Sequence, residues 1–404
     1  MKRKTDVIIV GAGLAGLTCA IKCKDLGREF ILLEKSQRIG GRVGSIKEDG
    51  YIFDLGFQVY NTAYHYTNSI IDGDLHLKSF SPGAAIYNAD TFEIISDPTR
   101  DLKQVFQTIF SSIASMTDKL RILKLKLLLQ RYSIQKDYSN DISTLKYLQN
   151  FGFSEKFIDN FFKPFFAGIF LEQELKTSSK FFKYVFSKLN KGLATLPSEG
   201  MQALPDLICS KLDPQSILLK QKVKKIKSDQ TIILDNGELI SGKKIILTGD
   251  SVNMLSPQSI VYNSIKTIYF SSKIEPKNGK YIHLFPNDDI INNIAILTMI
   301  SNHYSQNSDH LFSVSIFSED KLESENITHV QNKLPEFYGG VSSDYKFLKY
   351  MNIKKATIKQ RPNHFDNQHF NKGGIIFAGD QTTNGSIDGA VFSGIRAINY
   401  INEA

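Results

Sequence analysis

The sequence predicts an α/β protein: a parallel sheet assembled from both ends of the chain, interleaved with a second, α+β lobe. Three observations carry this. An apolar run, Val7-Ile8-Ile9-Val10, enters a glycine-rich turn, and a second run, Phe30-Ile31-Leu32-Leu33, ends in an acid, Glu34. Near the other terminus, Gly374-Ile375-Ile376-Phe377-Ala378-Gly379-Asp380 again reads as a buried strand ending in a glycine and an acid. Between them, residues near 100–190 turn helical and rich in Phe, Leu and Lys.

The first turn, Gly11-Ala12-Gly13-Leu14-Ala15-Gly16, has the spacing of a dinucleotide site. Gly11 allows the tight turn, Gly13 lets backbone N–H groups approach a pyrophosphate, and Gly16 lets the helix begun by Leu14 and Ala15 pack closely on the strand. Glu34, followed by Lys35, stands where ribose hydroxyls are expected. A second glycine pair then comes between arginines, Arg38-Ile39-Gly40-Gly41-Arg42, which a plain nicotinamide site does not require. At the far end, Gly379 and Asp380 precede a turn, Gly385 to Gly389, in which Ser386, Ile387 and Ala390 open the final helix. A helix start aims unpaired N–H groups at an anion.

The middle of the chain returns to this sheet. Ile217-Leu218-Leu219, the Lys222 to Ile226 alternation, Thr231 to Leu234, an Asp235-Asn236-Gly237 turn and Lys244 to Leu247 read as a β-meander. The expected cofactor domain is therefore discontinuous, taking 1–80, 196–250 and 358–404. A substrate domain takes 81–195 and 251–357, with Asp141 as a helix N-cap and strands at Lys266 to Phe270, Tyr281 to Phe285, Ile294 to Ile300 and Leu311 to Phe317.

These motifs, with Asp54 to Val59, Phe161 to Leu171, Thr177 to Phe182 and Leu196 to Met201, resemble the flavin amine oxidase, phytoene desaturase and protoporphyrinogen oxidase-like superfamily across nearly the whole chain. The resemblance implies an FAD-binding Rossmann-like domain of the glutathione reductase/p-hydroxybenzoate hydroxylase type. It implies that Arg38, Gly40, Gly41 and Arg42 reach the FAD phosphates, that Asp380 holds the ribityl chain or phosphate, that the last helix faces the flavin pyrimidine, and that backbone at Val223 touches adenine. Lys266, in a Lys-x-x-x-Phe pattern, resembles the lysine that holds a water beside the reactive flavin nitrogen in amine oxidases. No cysteine follows Cys209, so a C-terminal cysteinyl flavin cannot form and FAD is expected to be non-covalent.

The dense Phe run suits a dry pocket for a hydrophobic small molecule of the polyene, isoprenoid or tetrapyrrole class, giving up hydride to flavin. Amine oxidation with hydrogen peroxide release is the alternative, weakened because Gln381 to Asn384 carries no aromatic residue to flank a flavin. A flavin-dependent isomerase, or a flavin-binding partner protein without turnover, is a third reading.

The composition is compatible with all three. A chain of 404 residues exceeds one typical core, and 49 basic against 41 acidic residues, net +8, does not call for nucleic acid. Three cysteines form no even framework, pointing to a reducing compartment, and no His/Cys/acid group has metal-ligand spacing. The basic start Met1-Lys2-Arg3-Lys4 leads into a strand, not an export signal, and no apolar run approaches the ~18 residues of a membrane span, so a cytoplasmic protein is expected. One segment, Arg121 to Leu129, sets lysines beside an apolar face. It reads either as a membrane-surface helix or as a lobe helix with its leucines in the core and its lysines in water. Oligomeric state has no signature in the sequence.

Overall fold

Two sheets organise the chain in a computed structural model that describes residues 2–88, 91–96, 113–255, 260–318, 321–366 and 370–403. The first is centred on the N-terminal strand Lys2–Val10, with Phe30–Leu33 and then Ile217–Leu218 on one side and Leu239–Thr248 on the other, all parallel. Leu239–Thr248 is shared. Its first residues pair antiparallel with Thr231–Leu234, the middle of the meander, while its last four pair parallel with Ile375–Ala378. Asp235-Asn236-Gly237 makes the meander turn, with Gly237 at φ 84°.

A parallel sheet covered on both faces needs continuous apolar runs. Residues 7–10 and 245–247 are accordingly all buried. One face packs on the helices Leu14–Asp25 and Ile387–Glu403, which approach so closely that a Cβ on Gly394 would lie 2.6 Å from the Ala15 carbonyl oxygen. Cys19 and Cys23 sit in this layer as free, buried thiols, and burial pushes the Cys23 thiol up to about 12.

The second sheet has seven strands and spans Gly83–Asn88 to Lys346–Ile358 in sequence. The helix Glu323–Tyr338 covers one face through Val330 and Leu334, which pack on Ile268, Phe270 and Phe312. The other face looks toward a Phe-rich helical lobe comprising Met116–Leu128, Thr144–Phe151, a π-helical turn Ile158–Phe162, Lys163–Phe170 and Ser179–Lys191. Phe157, Phe162, Phe166 and Phe182 are fully buried in its core. Of the stretch expected to be helical, residues 97–112 lie outside the described residues.

Two expectations are corrected. The strand expected at Ile294–Ile300 runs instead over Ile291–Ile296 and then turns helical over Leu297–Ile300. Buried Asn292 and Asn293 interrupt the apolar pattern that would have revealed its start. Asp141 does not cap the helix that follows it in sequence, whose cap is Ser143. Its carboxylate accepts from Ser178 Oγ at 2.7 Å and from Lys180 N–H at 3.3 Å, at the start of Ser179–Lys191, and from Asn363 N–H at 3.0 Å.

Candidate cofactor and substrate site

A cavity of about 960 Å³ opens at the carboxyl ends of the parallel strands and continues between the second sheet and the Phe-rich lobe. Sixteen of the residues expected at the cofactor line it: Gly11, Gly13, Leu14, Ala15, Glu34, Lys35, Arg38, Gly40, Gly41, Arg42, Val223, Gly379, Asp380, Ser386, Ile387 and Ala390. Gly16 and Lys266 do not.

Each glycine of the first turn answers a different constraint. Gly11 has φ 102°, and a Cβ there would lie 2.5 Å from Thr248 Oγ1, which itself donates to the Val10 carbonyl at 2.9 Å. At Gly16 a Cβ would lie 1.9 Å from the Gly11 carbonyl oxygen, so this glycine seats the helix on the turn. Gly13 differs: its Cβ would meet nothing nearer than Gly41 Cα at 4.0 Å. Among the described residues no atom forces glycine at 13. The space in front of it belongs to the cavity, which is where a pyrophosphate must approach backbone N–H groups. The Gly40-Gly41 loop closes over the turn, Gly40 N–H donating to the Ala12 carbonyl at 2.8 Å.

Glu34 is buried and held by two backbone groups, Ala12 N–H and Ser36 N–H, each at 2.8 Å. A carboxylate has about four acceptor sites, so roughly half remain for ribose hydroxyls. Arg38 differs from the phosphate contact that the resemblance implies. Its guanidinium donates to the carbonyls of Ile39, Gly41 and Val43 and to Gln202 Oε1, bracing the loop it belongs to.

Arg42 does face the far end of the chain. Its Nη2 lies 2.5 Å from Asp380 Oδ1, and its guanidinium stands 5.6 Å over the Tyr262 ring. Burial works against the charge of Arg42, but Asp380 more than offsets it and holds the guanidinium above its ordinary value. Tyr262 donates to Asp250 at 2.8 Å, Lys355 pairs with Asp250 at 2.7 Å, and burial opposes but these partners prevail in lowering the Asp250 carboxyl. Asp250, Tyr262 and Lys355 all line the cavity, and the sequence reading missed them. A signal existed: Thr248-Gly249-Asp250 repeats Ala378-Gly379-Asp380, and Thr248 pairs with Ala378 on the neighbouring strand. Ligands of parallel α/β sheets bind at such strand ends.

The expected role of Lys266 is corrected. Ile265 and Thr267 face the cavity side, against Gly56, whereas Lys266 shares the opposite face with Ile268 and Phe270. Its ammonium donates to the Ser318 carbonyl. Strand alternation, with a period of two, decides this.

Beyond the cofactor end the wall becomes aromatic, with Phe157, Phe161, Phe165, Phe166, Phe181 and Phe186. The described acids lining the whole cavity are Glu34, Asp250 and Asp380, each already engaged at the cofactor end. Tyr64 and Tyr184 stand beside the start of the last helix, Tyr184 hydroxyl lying 3.4 Å from Ser386 Oγ and 3.3 Å from Asp388 Oδ2. These aromatics come from segments far from Gln381 to Asn384, where the sequence offered none.

The residues fit FAD. Gly13 leaves room where a Cβ would intrude on a ligand, and Gln58, whose Nε2 donates to the Arg42 and Leu55 carbonyls, lines the cavity with its Oε1 buried and without a partner among the described residues. Fold and site together define a dinucleotide-binding flavoprotein built on two main sheets, with its cofactor site open to an apolar pocket.

The chain belongs to the flavin containing amine oxidoreductase family, whose model matches residues 14–402, and FAD is its cofactor. It is thus an FAD-dependent oxidoreductase by family. A segment of 75 residues, 19% of this chain and 16% of the relative, is 43% identical to a probable flavin-containing monoamine oxidase A of Dictyostelium discoideum. Another, of 109 residues, 26% of this chain and 21% of the relative, is 28% identical to a 4,4'-diapophytoene desaturase of Staphylococcus haemolyticus. The matches thus span less than a quarter of these curated relatives. Solved structures are similar over essentially their whole length. A putrescine oxidase double mutant has a TM-score of 0.75 at 15% identity, covering 100% of both chains. A putative protoporphyrinogen oxidase from Exiguobacterium sp. 255-15 has 0.73 at 16%, covering 100% of this chain and 99% of that one. At such identity they show the fold alone.

Proposed function

We propose that this protein removes hydride from an apolar substrate of the polyene, isoprenoid or tetrapyrrole class, as a desaturase or dehydrogenase. One observation carries the reading: the pocket continuous with the cofactor site is walled by phenylalanines and holds no described carboxylate of its own. A cationic amine entering it would lose its hydration without gaining a counter-ion, which is costly in an apolar site.

FAD, when bound, would supply a two-electron acceptor for hydride from a substrate C–H bond, with the proton lost from the neighbouring carbon passing to solvent and an external oxidant such as oxygen or a quinone finally taking the electrons. The chain's own part is positioning and exclusion of water. Phe161 and Phe165, stacked on one another, line the wall that an extended apolar molecule would meet. The Arg42–Asp380 ion pair ties the N-terminal and C-terminal segments together at the cavity, and the last helix brings its positive end, at Ile387, to the same cavity, where negative charge on a reduced cofactor would be favoured.

Anaerobic mixing of the holoprotein with polyenes, reduced tetrapyrroles and amines tests this. Loss of the oxidised-flavin absorbance is expected with an apolar substrate and not with amines, and Phe165→Asp should abolish that reduction while leaving FAD affinity unchanged. Reduction by amines alone would overturn the proposal, and conversion of an apolar substrate without any flavin bleaching would make the protein an isomerase.

A further inference from the structure

The helix Met116–Leu128 leaves its apolar residues in an unusual place. Met116, Leu120, Leu123 and Leu127 recur at i, i+4, i+7 and i+11, one stripe of an α-helix, and are 63%, 64%, 49% and 66% exposed. Leu128, beside them, is 60% exposed. The lobe needs little of this helix for its core: Leu125 and Leu129 are buried, and Ile122 packs against the Phe cluster. Single exposed leucines are ordinary, but a continuous row of four large ones on one helix face is the pattern of an interaction surface.

Charge and position say what covers it. The one acid of the helix, Asp118, is fully buried, accepting from Ser115 in the capping box and from Ser154 N–H at 2.9 Å. Lys124 is exposed on one flank of the stripe and rests 5.7 Å over the Phe151 ring, and Arg131 is exposed just past the end of the helix. An apolar stripe edged by cations, with its acid turned inward, complements an anionic lipid surface, whose acyl chains take the leucines and whose headgroups take the cations. The same helix also borders the cavity, through Ile122 and Lys126.

We propose that this helix lies in the interface of an anionic membrane, Met116, Leu120, Leu123 and Leu127 down, so that the wall of the cavity rests on the bilayer. Delivery of a lipid-soluble substrate through that wall rests on the function proposed above. The membrane contact itself does not. No described helix is long and apolar enough to cross a membrane, so the contact is peripheral.

The test is co-sedimentation of FAD-loaded protein with vesicles of phosphatidylcholine and phosphatidylglycerol, across a salt series. Wild type should pellet with anionic vesicles and be released as salt rises. Leu120→Asp plus Leu127→Asp should lower the bound fraction by roughly tenfold or more, as expected for losing two side chains from an apolar phase. Lys124→Glu plus Arg131→Glu should remove the dependence on anionic lipid. Because these positions are exposed, retained FAD binding and an unchanged circular dichroism spectrum are expected in all variants. Wild type that stays in the supernatant, or binding indifferent to the leucine changes, would overturn the proposal. So would a dimer in sedimentation velocity that the leucine changes dissolve, since the occupant would then be a second copy. Vesicle binding without flavin reduction by any apolar substrate would leave the membrane contact standing and remove the substrate class instead.

Discussion

Asp54 is a carboxylate built into the seam between the lobes, accepting from Ser45 Oγ at 2.5 Å, Met201 N–H at 2.9 Å and Tyr304 hydroxyl at 2.7 Å. Burial outweighs these bonds and raises it to about 6. His283, buried between Tyr338 hydroxyl and the Asn278 carbonyl, is lowered to about 4, again by burial. The two pull stability in opposite directions. The folded state holds Asp54's proton more tightly than the unfolded chain, so this contribution is present below pH ~4 and is lost as pH rises through about 6. The folded state disfavours a charged His283, so its contribution is present above pH ~6.5 and is lost as pH falls through about 4. Each is worth a few kcal/mol, at about 1.4 kcal/mol per pK unit, and over pH 4–6 they oppose one another. Urea unfolding should therefore show Asp54→Asn gaining stability relative to wild type as pH rises from 4 to 6, and His283→Gln losing it. Parallel profiles in all three proteins would show that neither group is titrating as its burial demands. His283 was not legible as special in the sequence, and Asp54 only as the first residue of a motif that carries the resemblance, because burial of a lone acid or histidine is a property of its neighbours.

At the scale of one element, the βα turn separates two uses of glycine that a motif treats alike. Gly16→Ala places a methyl 1.9 Å from the Gly11 carbonyl and must push the first helix off its strand. Gly13→Ala meets only open cavity. Apo protein carrying Gly13→Ala should unfold within about 0.5 kcal/mol of wild type, as surface-like changes do, yet bind FAD far more weakly. Gly16→Ala should lose both stability and FAD affinity, and equal apo stability of the two variants would contradict this division. The turn, its flanking strands and the acid after the second strand were legible because their chemistry is local. The strand after Ile291 was not, since Asn292 and Asn293 are polar residues buried in a sheet. The helix Met116–Leu128 confounded the usual inference in another way. Its leucines, read as either core or membrane face, are mostly outside.

At the scale of the whole molecule, the cofactor site is a junction between chain ends: Arg42 and Asp380 are 338 residues apart in sequence. A ligand that binds there only in the folded state stabilises by mass action, about 2.7 kcal/mol at one hundred times its Kd. Glu34→Ala or Asp380→Ala removes charge-assisted hydrogen bonds of about 1.5–3 kcal/mol and should weaken FAD by tens of fold. At the same FAD concentration, the stabilisation of either variant should then shrink to about 1 kcal/mol, read as the difference between apo and loaded unfolding curves. Stabilisation equal to wild type in both variants would place the cofactor elsewhere. The sequence by itself determined the parallel sheet, the glycine turn, the acid at its second strand and the two-ended character of the cofactor site, because each rests on spacing within a few residues. Only the tertiary structure decided that Lys266 faces away, that Arg38 braces its own loop, and that Asp250, Tyr262 and Lys355 join the site. It also decided that the Phe-rich lobe shares one cavity with the flavin end. These are matters of which face a strand or helix turns inward, and that choice is made by contacts between segments hundreds of residues apart, which no local pattern encodes.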